Sequence, residues 1–161
     1  MSIRIIFLDI DGVLNNEQSP DRCGYYIGIE DGKVELLKQI VDATDAKIVL
    51  SSTWRLGIDN KGHRLENHIP YLKDKLSKQG LEIYDKTIQL TRSGDSRGTE
   101  INEWLSRHPE VKQWVVLDDE WFYDFGLYDI PNHLVETSFF YDGGLHGEHV
   151  EKAIKILKGE N

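Results

Sequence analysis

The chain reads as an α/β protein with a mainly parallel central sheet between two helical layers. Three observations predict this. Short apolar runs, Ile5-Ile6-Phe7-Leu8, Lys47-Ile48-Val49-Leu50 and Trp114-Val115-Val116-Leu117, have the length and character of buried strands. Segments of helical spacing lie between them. Each run ends abruptly in polar residues, acids after the first and third and hydroxyls after the second. In an open α/β sheet that edge is where ligands bind.

Taken in order, the first strand runs into Asp9-Ile10-Asp11 and turns at Gly12. Residues 16–32 read as a polar loop carrying Tyr25, Tyr26 and Ile27. Val34, Leu37, Ile40 and Val41 then mark a helix. The second strand, Lys47 to Leu50, stops at Ser51-Ser52-Thr53. Pro70 suits the first turn of a helix that runs to residue 79, and Gly80 ends it. Residues 81–84 read as a short strand, 87–90 as extended chain, and 98–108 as a helix with Ile101, Trp104 and Leu105 inward. The strand from Trp114 to Leu117 delivers Asp118-Asp119-Glu120. Leu134-Val135-Glu136 is the last strand, and Val150, Ala153, Ile154 and Leu157 line a closing helix.

At 161 residues the chain is expected to be one domain. A net charge of −9 argues against broad electrostatic binding to nucleic acid, although a local basic groove stays open. No run approaches the ~20 apolar residues of a membrane helix, and the N-terminus lacks the shape of a signal peptide. Cys23 is the only cysteine, so the expected compartment is the reducing cytoplasm.

Asp9 and Asp11 are two residues apart, and a strand puts such residues on one side. Packing requires no acids there, and like charges that close repel unless a cation or a shared proton relieves them, so Mg²⁺ is implied. Ser51 and Ser52, Arg97 before the third helix, and Asp118 with Asp119 complete a constellation. Singly these read as turn acids, turn serines and a surface arginine. Together, acids on two strands form an oxygen cage for Mg²⁺, and a hydroxyl with a guanidinium clamps phosphate oxygens. Those are the parts of phosphoryl transfer.

The order Asp9-Ile10-Asp11-Gly12-Val13-Leu14, Ile48-Val49-Leu50-Ser51, Arg97 and Val115-Val116-Leu117-Asp118-Asp119 resembles the four motifs of the haloacid dehalogenase (HAD) superfamily. Leu50-Ser51-Ser52-Thr53-Trp54-Arg55, Arg97 to Leu105, Thr137 and Gly144-Leu145 are similar to HAD domains of "Swiss Army Knife" RNA-repair proteins. Gly94-Asp95-Ser96-Arg97 resembles the phosphatase half of polynucleotide kinase/phosphatases. One departure is Arg97, where most of the superfamily has Lys. The resemblance implies a capless HAD-like Rossmannoid three-layer α/β/α sandwich and a Mg²⁺-dependent phosphomonoester hydrolase. In it Asp9 is the nucleophile and Asp11 the general acid/base. Asp9, Asp11 (through its carbonyl), Asp118 and Asp119 serve the metal, the last through water or Arg97. Ser51, Ser52 and Arg97 hold the phosphoryl group. Arg55 is a candidate contact to substrate phosphate. The implied substrate is a phosphorylated nucleotide or a nucleic-acid end, and a homo-oligomer is compatible.

The rival readings are a receiver-like signalling domain and a catalytically idle phosphate-binding module. No apolar strand here offers the single middle-strand Asp of a receiver. The aromatics of 121–128 are expected in core packing or a dimer contact rather than base stacking, His63 and His68 in loops, and His146-Gly147-Glu148-His149 at a helix start rather than on a metal.

Overall fold

The computed structural model describes residues 2–57, 59, 61–91 and 96–160. Strand β1 (Ile3–Leu8) is followed by a small antiparallel hairpin, β2 (Arg22–Cys23) and β3 (Tyr26–Ile27), and by helix α1 (Asp31–Thr44). Then come β4 (Lys47–Leu50), α2 (His68–Ser77), β5 (Ile83–Lys86), α3 (Arg97–Ser106), β6 (Val111–Asp118), β7 (Leu134–Glu136) and α4 (Gly147–Leu157). The five long-range strands form one parallel sheet in the order β5-β4-β1-β6-β7. This is the α/β architecture expected.

Strand β1 is apolar throughout its second half because both of its faces are covered. Ile6 and Leu8 pack with Val34 and Leu37 of α1 and Val150 of α4. Ile5 and Phe7 face the other way, against Ile101 and Trp104 of α3 and Phe125. The Trp104 ring meets Phe7 edge-on at 5.5 Å between centroids. Helix α1 ends where Asp45 adopts a left-handed conformation and its N–H closes on the Val41 carbonyl at 2.7 Å.

Several boundaries differ from the sequence reading, among them those of α3, which spans Arg97–Ser106, and β6, which starts at Val111. Helix α2 begins at His68, so His68 is helical and buried rather than in a loop, and Pro70 still lies in the first turn. The strand expected at 81–84 starts at Ile83, because the Leu81 N–H is used to close α2 on the Leu76 carbonyl at 3.0 Å. The supposed loop 16–32 contains the hairpin, turned at Gly24 with φ +61°. Its strands of two residues carry no alternation to betray them. Among the described residues no helix is long and apolar enough to cross a membrane.

Register brings the functional edge together. Leu8 is paired with Leu50 on one side and Leu117 on the other. The next residues continue the ladder: Asp9 N–H donates to Leu117 O, Ser51 N–H to Leu8 O and Thr137 N–H to Asp118 O, each at 3.0 Å. Asp9, Ser51 and Asp118 therefore emerge side by side.

Candidate active site

Asp9, Asp118 and Asp119 each present a carboxylate oxygen within 4.8 Å of the others'. The first two are buried, at 5 % and 0 % exposure. Burial pushes all three carboxyls up to about 7. The charge of Asp119 adds to this at Asp9, that of Asp9 at Asp118 and that of Asp118 at Asp119. Arg97 only partly opposes the rise at Asp9 and Asp118, and a hydrogen bond with Asp9 opposes it at Asp119. Three hard oxygen donors that resist ionising without a counter-charge could hold a metal ion, and hard oxygens are the donors that Mg²⁺ takes.

Arg97 supplies the fixed positive charge. Its Nη1 lies 2.8 Å from Asp118 Oδ2 and 3.3 Å from Asp9 Oδ1, and the side chain is buried. Burial alone would lower its pKa, but Asp118 and Asp9 more than reverse that, so the guanidinium is held charged. Its position comes from the start of α3. The N–H groups of Gly98 and Thr99 donate to Asp124 at 3.0 and 2.8 Å, and the Thr99 hydroxyl donates to the same carboxylate at 3.0 Å. Asp124 is a helix cap delivered from another segment. It fits because residue 98 is glycine: a Cβ there would lie 2.7 Å from Asp124 Oδ1. The Phe122 ring lies under the guanidinium at 4.5 Å.

Asp11 is held apart from the three converging carboxylates. Its Oδ2 accepts the Trp54 indole N–H and its Oδ1 the Asn15 amide, both at 3.1 Å. Burial raises its pKa, and these two bonds work against the rise. Asn15 in turn accepts the Gly12 N–H at 2.8 Å and donates to Ile27 O at 3.0 Å, tying the acid loop to the hairpin. Gly12 has φ +80°, and a Cβ on it would collide with the Asp119 carboxylate. Its carbonyl accepts the Thr137 hydroxyl.

Ser51 Oγ is fully buried and makes no hydrogen bond among the described residues. A buried hydroxyl without a partner is costly unless a ligand supplies one. Ser52 Oγ accepts the Trp54 N–H at 3.1 Å and so caps the short 3₁₀ turn Thr53–Arg55.

Arg55, the candidate contact to substrate phosphate, is engaged inside the protein. Its Nε donates to Thr87 O at 2.9 Å, Nη1 to Ser51 O at 3.1 Å and Ser52 O at 2.7 Å, and Nη2 to Ile88 O at 3.4 Å and Glu100 Oε1 at 3.0 Å. With all its donors engaged and the side chain buried, Arg55 is an internal strut rather than a free cation for substrate. Gly94 and Asp95 of the quoted motif, with Arg92 and Ser93 before them, lie outside the described residues.

Trp54, Asn15, Glu100 and Asp124 are site-shaping residues that motif reading missed. Trp54 and Glu100 stood inside the quoted motifs, but their partners are distant in sequence. The aromatics of 121–128 divide: Phe125 is core and Phe122 backs Arg97, whereas Trp121 and Tyr123 are exposed. At the start of α4 the His146 N–H donates to His149 Nδ1 at 2.9 Å, and His146 Nε2 lies 2.6 Å from the Asp142 carbonyl oxygen. His63 faces the Asp59 carboxylate through Nδ1 at 3.0 Å.

Outside the acids lies an open cleft of about 890 Å³, between the hairpin and residues 136–140, with Asp11 and Asp119 in its lining.

No curated protein and no solved structure matches the chain. A family model does: that of the HAD domain in Swiss Army Knife RNA repair proteins, over residues 5–150. The chain belongs to this family.

Proposed function

We propose that this HAD domain is a Mg²⁺-dependent phosphomonoester hydrolase working through an aspartyl-phosphate, on the phosphate of a nucleotide or a polynucleotide end. The observation that carries the reading is the convergence of Asp9, Asp118 and Asp119 around one point, with Arg97 bonded to two of them. Asp9, Asp118 and Asp119 would hold the cation, and the Asp11 carbonyl is a further candidate. Bound there, Mg²⁺ offsets the repulsion between the acids and a phosphate dianion.

The residues divide the chemistry as follows. A carboxylate oxygen of Asp9 attacks phosphorus, and the ester P–O bond breaks. Asp11 gives its proton to the departing alcohol oxygen, which suits a carboxyl whose pKa burial has raised. Ionised Asp11 then takes a proton from water as that water attacks the phosphorus. The Asp9–phosphorus bond breaks, inorganic phosphate leaves, and both carboxyls return to their starting state. The Ser51 hydroxyl and Ser52 amide would receive phosphoryl oxygens, and Arg97 balances their charge. The hairpin β2–β3 is the one strand insertion described between β1 and α1, so substrates meet an open mouth.

The test is hydrolysis of p-nitrophenyl phosphate, nucleotides, and 3′- and 5′-phosphorylated oligonucleotides with Mg²⁺ and with excess chelator. Metal-dependent release of phosphate, with a phosphoenzyme trapped on Asp9, is expected. Full activity in chelator would remove the metal, and an acid-stable phosphate on another residue would remove Asp9.

A further inference from the structure

The cleft carries two features that the phosphoryl chemistry leaves unused. The first is a fixed, exposed aromatic face. Tyr25, at the turn of the hairpin, is 83 % exposed, yet its ring is stacked on His63 at 4.6 Å and 26°. His63 is held through its ring Nδ1 at 3.0 Å and its backbone N–H at 2.8 Å, both on Asp59. One face of Tyr25 is therefore supported and the other is free. From a different segment the exposed Phe140 lines the same cleft.

The second feature is charge. Beyond the catalytic acids, Glu120 and Glu136 line the cleft, and Lys61 is the one cation among its lining residues. Among the described residues, Arg55 and Arg97 of the phosphate-site motifs are buried and already paired, Arg55 with Glu100 and Arg97 with Asp9 and Asp118.

We propose that the cleft receives the base of a single nucleotide stacked on Tyr25, so that the preferred substrate is a nucleoside monophosphate rather than a phosphorylated polynucleotide end. The inference rests on the phosphomonoesterase reading above and narrows its substrate. The cleft volume of about 890 Å³ falls in the range of small-molecule sites. Every base has a π-face, so stacking on one tyrosine accepts any of them. A longer chain brings a further phosphate with each nucleotide. Its affinity grows only as cations neutralise those phosphates, and here they would meet Glu120 and Glu136.

The test compares kcat/KM for a nucleoside monophosphate, for an oligonucleotide phosphorylated on the same terminal nucleotide, and for glycerol phosphate, in wild type, Tyr25→Ala and Glu120→Gln/Glu136→Gln. In wild type the monophosphate is expected to exceed the oligonucleotide by about tenfold or more. Tyr25→Ala should lower the nucleotide-to-glycerol-phosphate ratio by about five- to tenfold, the lower part of the range for base stacking on an aromatic ring. The double Gln variant should raise oligonucleotide turnover. Tyr84→Ala, at an exposed aromatic on β5, should leave the ratio where it was. An oligonucleotide turned over as well as the monophosphate, or a Tyr25→Ala ratio within twofold of wild type, overturns the inference while the phosphatase stands. If no phosphomonoester is hydrolysed, the phosphatase reading falls instead. Calorimetric binding of the monophosphate to wild type and Tyr25→Ala then decides the ring site alone: weaker binding to the variant supports it, and equal binding overturns it.

Discussion

Replacing Trp54 by Phe should move the pH dependence of catalysis upward, by an amount the structure sets. The indole Nε1 is 3.1 Å from Asp11 Oδ2, and the Asn15 amide is the other side chain bonded to that carboxylate. Both bonds favour the ionised form, against burial that favours the neutral one. A hydrogen bond to a charged group contributes about 1.5–3 kcal/mol. At 1.36 kcal/mol per pKa unit, its loss should raise the Asp11 pKa by about 1–2 units. Phe keeps a ring against the His68 edge, 4.6 Å away in the wild type, so most of the packing survives. Trp54 is a cleaner target than Asn15, which also binds the Gly12 N–H. The assay is single-turnover kinetics across pH 5–9, separating formation of the phosphoenzyme from its hydrolysis. Formation needs protonated Asp11, so its falling limb should shift to higher pH. Hydrolysis needs ionised Asp11, so its rising limb should shift the same way. Movement of both limbs by less than about 0.3 unit, ~0.4 kcal/mol, would refute the claim that Trp54 tunes the acid.

Asp9→Asn should abolish phosphoenzyme formation with the fold intact, since an amide oxygen is a poor nucleophile; circular dichroism with a phosphate-trapping assay checks both halves. The metal-free protein should lose stability as pH rises from about 4 to about 7. There the folded carboxyls of Asp9, Asp118 and Asp119, at about 7 against an ordinary 3.8, bind protons that the unfolded chain has released. Mg²⁺ should therefore raise the melting temperature more at pH 7.5 than at pH 5.5. Asp118→Asn should shrink that contrast, which separates it from His68 and His149, whose lowered pKa values act in the opposite direction. Melts in which pH makes no difference to the Mg²⁺ effect would contradict this. Asp124→Ala should cost about 1–2 kcal/mol as a lost helix cap. It should also lower kcat at temperatures where the protein stays folded, because Arg97 opens the helix that Asp124 caps; unchanged kcat beside a lowered melting temperature would uncouple the two.

What the sequence disclosed follows the range of the interactions involved. Strands β1, β4 and β6 were legible because burial on both faces leaves near-continuous apolar runs, and their polar ends marked the functional edge. The hairpin was not, since two-residue strands have no period to read. Side-chain roles set by distant partners were equally hidden. Trp54 finds Asp11 across 43 positions, and Arg55 finds Glu100 across 45. Gly98 finds Asp124 across 26. Motif order could place Arg97 among the acids, but nothing local to Arg55 indicated that the carbonyls of Thr87 and Ile88 would consume its donors. This changes what the arginines mean. Read along the chain, Arg55 and Arg97 are two cations beside a phosphate site. Folded, each is buried against carboxylates, so neither is free to neutralise phosphates beyond the one being transferred. Under the proposed function, capture of substrate would rest on short-range contact with one phosphate and with the Tyr25 ring rather than on attraction over distance.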